Sequence, residues 1–235
     1  MEYNILCKRK SIRKFTSQAI AEDKLSLIKT KCLQVKPLFN NIKVEFSLVK
    51  KELTSCPRGE YCLMLYSEEK EGYLYNAGYI LEQLDLYINS LGIGVCYYGF
   101  GKTKEKSEND LTFTMMLNIG MPDEKLFRNS ISEFKRNEIS KSWNGEILEG
   151  VSVTASLSPS AVNTQPWEIN YANNVIKVQQ KKTMLTKLTK KLGEYFSLID
   201  LGIYLYCLEV ALAKQGYSYI RECQNGIFSY TIKQA

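Results

Sequence analysis

Ser158-Pro159-Ser160-Ala161-Val162-Asn163-Thr164-Gln165-Pro166-Trp167 is the stretch on which the reading of this chain turns. An apolar segment precedes it and a strand-like one follows, so it is an ordered loop dense in hydrogen-bonding groups. Pro159 and Pro166 restrict the backbone at both ends. Ser160, Asn163 and Gln165 offer donors and acceptors to a flat polar ligand, and Trp167 offers an apolar wall. A Ser/Asn-rich turn between a helix and a strand has the same composition. Alone, the loop leaves both readings open.

The N-terminal segment Arg9-Lys10-Ser11-Ile12-Arg13-Lys14-Phe15 narrows the choice. Its cations flank a hydroxyl, and Ile12 and Phe15 can anchor it to a core. Arg9, Ser11 and Arg13 alternate, so an extended backbone points them the same way. Guanidinium forks plus a hydroxyl suit a phosphate. A solvated basic arm, or an electrostatic patch for nucleic acid, is the competing reading of that segment.

Around these motifs the chain reads as α+β. Leu25, Ile28, Cys32 and Val35 have helical spacing within 21–35, and 74–91 is a long apolar helix stopped by Gly92. Segments 44–49, 61–66 and 112–119 read as strands. In the second half, 147–157 and 198–214 read as helices. Segment 167–179 is a hairpin turning at Asn173-Asn174, and 217–233 is a hairpin turning at Asn225-Gly226. The polar stretch 123–141 divides the halves. The glycines of Gly92-Ile93-Gly94 follow a helix and precede a strand, the reverse of a dinucleotide fingerprint. Gly101-Lys102-Thr103 lacks the first glycine of a phosphate loop, because position 96 is Cys96.

The 235 residues, 45% hydrophobic, can bury a substantial core. No apolar run is long enough to cross a bilayer and no signal peptide opens the sequence, so a soluble, cytoplasmic protein without membrane partners is expected. The chain has no histidine, and its seven cysteines (Cys7, Cys32, Cys56, Cys62, Cys96, Cys207, Cys223) include no Cys-x-x-Cys. The usual zinc sets and the Ser-His-Asp and Cys-His catalytic groups are thereby excluded. The thiols read as small buried apolar residues of a reducing compartment. A net charge of +6 is spread along the chain, with Lys187–Lys191 read as a solvated helix face. No concentrated basic stripe or module points to nucleic acid. A reaction whose electrons are carried by a bound cofactor suits such a composition.

Together the two motifs resemble the FMN-dependent nitroreductase family, in which Arg-x-Ser-x-Arg-x-Phe and Pro-Ser-x-x-Asn-x-Gln-Pro-Trp are recurrent signatures. Leu91-Gly92-Ile93-Gly94-Val95-Cys96-Tyr97-Tyr98-Gly99-Phe100 looks like the family's Gly-rich segment beside the flavin. Lys135-Arg136, following Ile119-Gly120-Met121-Pro122, looks like its phosphate-assisting basic pair. The order departs from the family pattern, since the Pro-Ser loop arrives near residue 160 rather than about one helix after the Arg motif.

An internal repeat accounts for that displacement. Gly78 and Gly202 lie 124 positions apart (202 − 78), as do Gly92 and Gly216, Leu84 and Leu208, and Asp85 and Glu209. Pro37 and Asn41 precede Pro159 and Asn163 by 122 positions (159 − 37), and the first copy, Pro37 to Glu45, lacks the Ser, Gln, Pro and Trp. Self-similarity at a fixed offset implies duplicated architecture. The expected fold is therefore α+β and nitroreductase-like, with two related halves (residues 1–130 and 131–235) fused as a pseudo-dimer around one flavin site.

The resemblance implies an oxidoreductase that passes hydride from NAD(P)H through FMN to a small-molecule acceptor such as a nitroaromatic or quinone. It implies Arg9, Lys10, Ser11 and Arg13 at the phosphate and ribityl chain, with Lys135 and Arg136 assisting. It places Tyr97, Tyr98 and Gly99 at the isoalloxazine edge, and Pro159, Ser160, Ala161 and Asn163 at the flavin from the other half. Many family members carry an acidic residue at the Tyr98 position. One FMN per chain in a monomer is the implied stoichiometry. A non-catalytic flavin-binding or sensor protein, and a structural protein that kept the fold without the cofactor, are the alternatives.

Overall fold

The computed structural model describes residues 1–234 apart from 106, 108 and 183–189. The side chains of Lys187 and Lys190, expected on a solvated helix face, lie outside the described residues, whereas Lys191 is exposed. The chain forms two compact units, Met1–Glu133 and Phe134–Ala235.

The first unit contains α1 (Glu2–Leu6), α2 (Glu22–Cys32), β1 (Val44–Lys50), β2 (Tyr61–Ser67), α3 (Tyr73–Ser90), β3 (Gly94–Tyr97) and β4 (Thr112–Gly120). Its strands form an antiparallel sheet in the order β1-β2-β4-β3. The run Cys62-Leu63-Met64-Leu65-Tyr66 is buried on both faces, as a central strand covered on each side must be. The helix α3 closes with paired bonds, Ile93 N–H to Ile88 O and Gly92 N–H to Asn89 O. Gly92 sits there at φ +79°, a left-handed position that disfavours any side chain.

α3 buries Asn76, Glu82, Gln83, Asp85 and Asn89 among its apolar residues. A buried polar group needs a partner, and this helix uses its partners to hold loops. Asn76 Oδ1 accepts the N–H of Leu38 at 2.8 Å and of Phe39 at 3.2 Å. Gln83 takes both the N–H and the C=O of Lys36.

The second unit contains β5 (Trp143–Gly145), α4 (Glu149–Ala155), β6 (Trp167–Ala172), β7 (Val175–Gln180), α5 (Lys190–Lys214), β8 (Tyr217–Gln224) and β9 (Ile227–Gln234). Its sheet runs β5-β6-β7-β9-β8, with β5 parallel to β6 and the remaining pairs antiparallel. Asn173-Asn174 and Asn225-Gly226 adopt positive φ at the two hairpin turns, the geometry those residues were read for. α5 starts eight residues before its sequence-read boundary at 198 (198 − 190). By length and composition its stretch 191–214 could cross a membrane, contrary to the sequence expectation of no such run, but 83% of an apolar 18-residue window within it is buried inside the protein. It is a core helix here. Trp167 is a second correction: it is 1% exposed and stacks on Tyr204 at 4.8 Å, so it belongs to the core and lines no open wall.

Candidate functional site

In the first unit the basic segment is fixed by apolar anchors. Ile12 is fully buried and donates its N–H to Val95 O of β3. A Cβ on Gly94 would stand 2.7 Å from Ile12 Cγ2, so glycine at 94 is what lets the segment lie against the strand. Phe15 forms a bridge with Pro122, and Arg9 forms one with Phe127.

This anchoring sends alternate side chains into different surroundings. Arg9 is 1% exposed, and its Nε stands 2.7 Å from Asp85 Oδ2, a charge contact rather than an aligned hydrogen bond. Burial works against the Arg9 charge, but Asp85, Glu82, Tyr97 and Cys96 outweigh it and raise the guanidinium above its ordinary value. Burial pushes the Asp85 carboxyl up, while Arg9 and the Asn89 amide, 2.8 Å away, pull it back. The guanidinium therefore stays charged. Tyr97 donates to Glu82 Oε2 at 3.0 Å, and burial with the two acids beside it raises the phenol well above its usual range.

Arg9 reaches Ser11 Oγ at 3.4 Å with a terminal nitrogen. Lys10 pairs with Glu124 at 2.9 Å, and that bond, helped by the Arg13 N–H that Glu124 also accepts, holds the carboxyl below the usual range. Arg13 is exposed. Burial raises the Cys96 thiol, and Arg13, Arg9 and Arg58 each act on it in the opposite sense. Arg58 and Arg128 were not singled out from sequence. Arg128 donates to the Arg9 carbonyl, and burial beside Arg9 lowers its pKa. Arg58 is announced only by a Pro-Arg-Gly turn, and Arg128 by nothing local.

Tyr98 and Gly99 follow Tyr97 out of β3. Tyr98 donates its N–H to Met116 O and accepts from Gly101 N, and its ring packs on a buried cluster around Cys56 and Cys62.

In the second unit the Pro159–Pro166 loop is strained and heavily braced. Val162, Asn163 and Gln165 have φ of 44°, 59° and 51°; a β-branched residue in that region is a genuine outlier. Asp200, buried in α5, accepts the Ala161 N–H with both oxygens at 3.0 Å. Burial pushes its carboxyl well above the usual range, and the Ala161 N–H opposes that. Ser160 Oγ accepts Gln165 N–H at 3.0 Å. Arg136 donates to Asn163 Oδ1 at 2.8 Å and to Leu157 O at 2.9 Å, while Asn163 donates to Lys135 O at 2.7 Å. Asn137 N–H is held by Gln165 Oε1. Arg136, expected at the phosphate, thus acts as a brace of the loop, and Lys135 is exposed. Pro159 is buried at the loop entrance and Val162 is 84% exposed at its tip.

Residues 3–212 match the family described as "Putative TM nitroreductase", and the chain belongs to that family. A solved structure of a putative nitroreductase from Thermotoga maritima aligns with 98% of this chain and 93% of its own, at TM-score 0.70 and 18% identity. The fold is therefore α+β and nitroreductase-like. An FMN-dependent nitroreductase from Clostridium difficile aligns with 56% of this chain and 93% of its own, at TM-score 0.44 and 16% identity. A putative NADH dehydrogenase/NAD(P)H nitroreductase from Bacteroides thetaiotaomicron aligns with 59% and 94%, at TM-score 0.46 and 12% identity. No match was found among curated proteins.

Proposed function

We propose that this member of the nitroreductase family is an FMN-dependent oxidoreductase that moves electrons from NAD(P)H to a nitroaromatic or quinone acceptor. The observation that carries the reading is the Arg motif: Arg9 is held charged below the surface while Arg13 is exposed, and both act on the Cys96 thiol together with Arg58. Such a donor set fits a phosphate-bearing cofactor, because charge-assisted contacts from guanidinium groups and a hydroxyl are what a phosphate takes. Arg13 and Ser11 would hold the phosphate, and Arg9 would add a fixed positive charge behind them. Lys10, already paired with Glu124, would orient the segment.

When bound, FMN supplies a two-electron carrier that accepts hydride from the nicotinamide and returns it to the acceptor. The chain's own groups bind and orient. Tyr97, Tyr98 and Gly99 offer backbone and ring edges for the isoalloxazine, with Glu82 fixing the Tyr97 hydroxyl. Pro159, Ser160, Ala161 and Asn163 form the loop that this reading assigns to flavin contacts, and its bracing by Asp200 and Arg136 sets their geometry before any ligand arrives. Preorganised groups of this kind do not have to reorganise during reaction.

Two related halves fused in one chain, with one FMN per chain and no second subunit required, complete the reading. The fixed sequence offsets support it, and so does the recurrence of a buried helix acceptor holding a loop N–H at Asn76 and at Asp200. Purified protein is expected to be yellow, to release one FMN per chain by mass, and to oxidise NADH or NADPH when a quinone is supplied. Colourless protein that fails to take up added FMN would overturn the flavin reading. Yellow protein without turnover would reduce it to a flavin-binding protein.

A further inference from the structure

Outside the candidate flavin groups, the first unit holds an unassigned cluster of sulfur. Cys56, Cys62, Met64 and Met116 pack with Tyr66 in one buried cluster. Cys62, Met64 and Tyr66 alternate along β2 and so share a face, and Met64 stands directly across from Met116 of β4. Cys56 belongs to the loop that enters β2, and it is the buried residue of a segment, 52–60, otherwise exposed or half-buried.

Local bonds bring the two thiols together. Thr54 Oγ1 accepts the Cys56 N–H at 3.0 Å and lies 3.4 Å from Cys62 Sγ. Thr54 is thus the common partner of both cysteines, and Cys56 Sγ stands 3.5 Å from Arg58 O. Ser55 pins the loop by exchanging bonds with Lys102, each at 2.8 Å. The environments of the two sulfurs are unequal. The neighbouring Cys62, with Arg58 and Lys51 nearby, lowers the Cys56 thiol to about 7, whereas the neighbouring Cys56 and burial push Cys62 up. Burial also raises the thiols of Cys7, Cys32 and Cys96. A thiolate beside a protonated thiol is the arrangement of an attacking and a resolving cysteine.

We propose that Cys56 and Cys62 form a redox site that a hydroperoxide converts reversibly to a disulfide. The Cys56 sulfur attacks a peroxide oxygen, the O–O bond breaks, and the departing alkoxide or hydroxide takes a proton, leaving a sulfenic acid on Cys56. The Cys62 sulfur then attacks the Cys56 sulfur, the S–O bond breaks, and water leaves with the Cys62 proton. Two thiols and one hydroperoxide give one disulfide, one alcohol or water and one further water. The sulfurs lose two electrons and the peroxide gains them. Both thiols are buried, so a peroxide reaches them when the loop lifts from β2 and the Ser55–Lys102 bonds break.

The test uses the full chain, reduced, exposed to hydrogen peroxide, alkylated and digested without reductant. Trypsin cuts after Arg58, between the two cysteines, so a disulfide leaves two peptides joined and a dithiol leaves them separate. Joined Cys56 and Cys62 peptides, separated again by dithiothreitol, are the expected result. In Cys62→Ser, Cys56 should instead be captured by a sulfenic-acid probe. Alkylation of both cysteines after peroxide has oxidised the exposed Cys223, or a link from either to another cysteine, would overturn the proposal. The wild-type map decides the matter even if the variant fails to fold.

Discussion

The two long helices do the same job in their respective units, yet they hold very different loops. Asn76 of α3 and Asp200 of α5 stand 124 positions apart (200 − 76), and each accepts a loop N–H, from Phe39 and from Ala161. Asp85 and Glu209, at the same offset, each set a buried acid against an arginine, Arg9 and Arg221. Gly92 and Gly216 end the helices at φ +79° and +77°. Residues 37–43 carry no positive φ, whereas Val162, Asn163 and Gln165 all do. Left-handed backbone costs an ordinary residue on the order of 1–2 kcal/mol, so the second loop persists only because it is braced. The first unit thus carries a relaxed loop and the second a strained one, and the strained loop is the one whose sequence reads as a ligand contact.

The largest expected effect separates the two buried acids. Arg9 is 1% exposed, and Asp85→Ala would strand its charge, at a cost of about 3–5 kcal/mol. Arg221 is 23% exposed at its side chain and can turn to water, so Glu209→Ala should cost less, on the order of 1–3 kcal/mol, the scale of the buried hydrogen bond lost from Tyr230. Denaturant midpoints of the two variants measure this. Equal losses would show that the acids are interchangeable braces and that Arg9 is not specially stabilised.

Next in size is the division of labour within the Arg motif. Arg13 is exposed, so Arg13→Ala should leave unfolding unchanged and weaken FMN binding by roughly 1.5–3 kcal/mol, the scale of one charge-assisted contact. Titration of apo protein with FMN reads the affinity, and a thermal melt reads the fold. An unchanged dissociation constant would remove Arg13 from the site.

Much of this was legible in sequence because it is written locally. The helix at 74–91, its stop at Gly92 and both hairpin turns depend on apolar spacing and on residues that tolerate positive φ. β5 was missed because its three residues are too short to show alternation. The candidate site was legible as residues and less so as contacts. Arg9 sits in a run of cations, which reads as a ligand arm, but its partner Asp85 lies in the middle of an apolar helix far along the chain. Trp167 misled for the same reason, since its stacking on Tyr204 is a tertiary fact, as is the bonding of Arg136 to Leu157 O. Pairing of buried polar groups leaves no periodic trace.

The third effect tests a chemical difference between the two loop acceptors, an amide at 76 and a carboxyl at 200. Asp200→Ala leaves the Ala161 N–H without its acceptor and should cost about 1–3 kcal/mol, whereas Asp200→Asn keeps an acceptor and should cost little. Burial raises the folded-state Asp200 carboxyl well above its unfolded value near 4. The native form therefore holds a proton that the unfolded chain has released, and the Asp200 contribution is complete below the unfolded value and is lost as pH rises through the folded one. Asp200→Asn removes that loss, so its stability relative to wild type should grow with pH. Parallel pH–stability curves for the two proteins would show that the carboxyl does not titrate in this way.

The smallest effect asks whether the two helix ends are as alike as their dihedral angles. A Cβ added at Gly216 meets nothing within 4 Å, and at Gly92 only the tip of Lys24, at 3.8 Å. Neither site opposes a methyl group by contact, so Gly92→Ala and Gly216→Ala should each cost about 1 kcal/mol from left-handed backbone alone. Loss of glycine's freedom in the unfolded chain offsets part of that strain equally in both. The two variants should therefore agree to within a few tenths of a kcal/mol in denaturant unfolding, since the same backbone term is the whole effect. Gly92 also positions the chain into β3, beside Cys96 and the Arg motif, whereas Gly216 leads only into β8. A Gly92→Ala variant that loses FMN affinity without losing more stability than Gly216→Ala would place the difference between the ends in ligand binding. A larger stability loss at 92 would place it in the packing of β3 against Ile12.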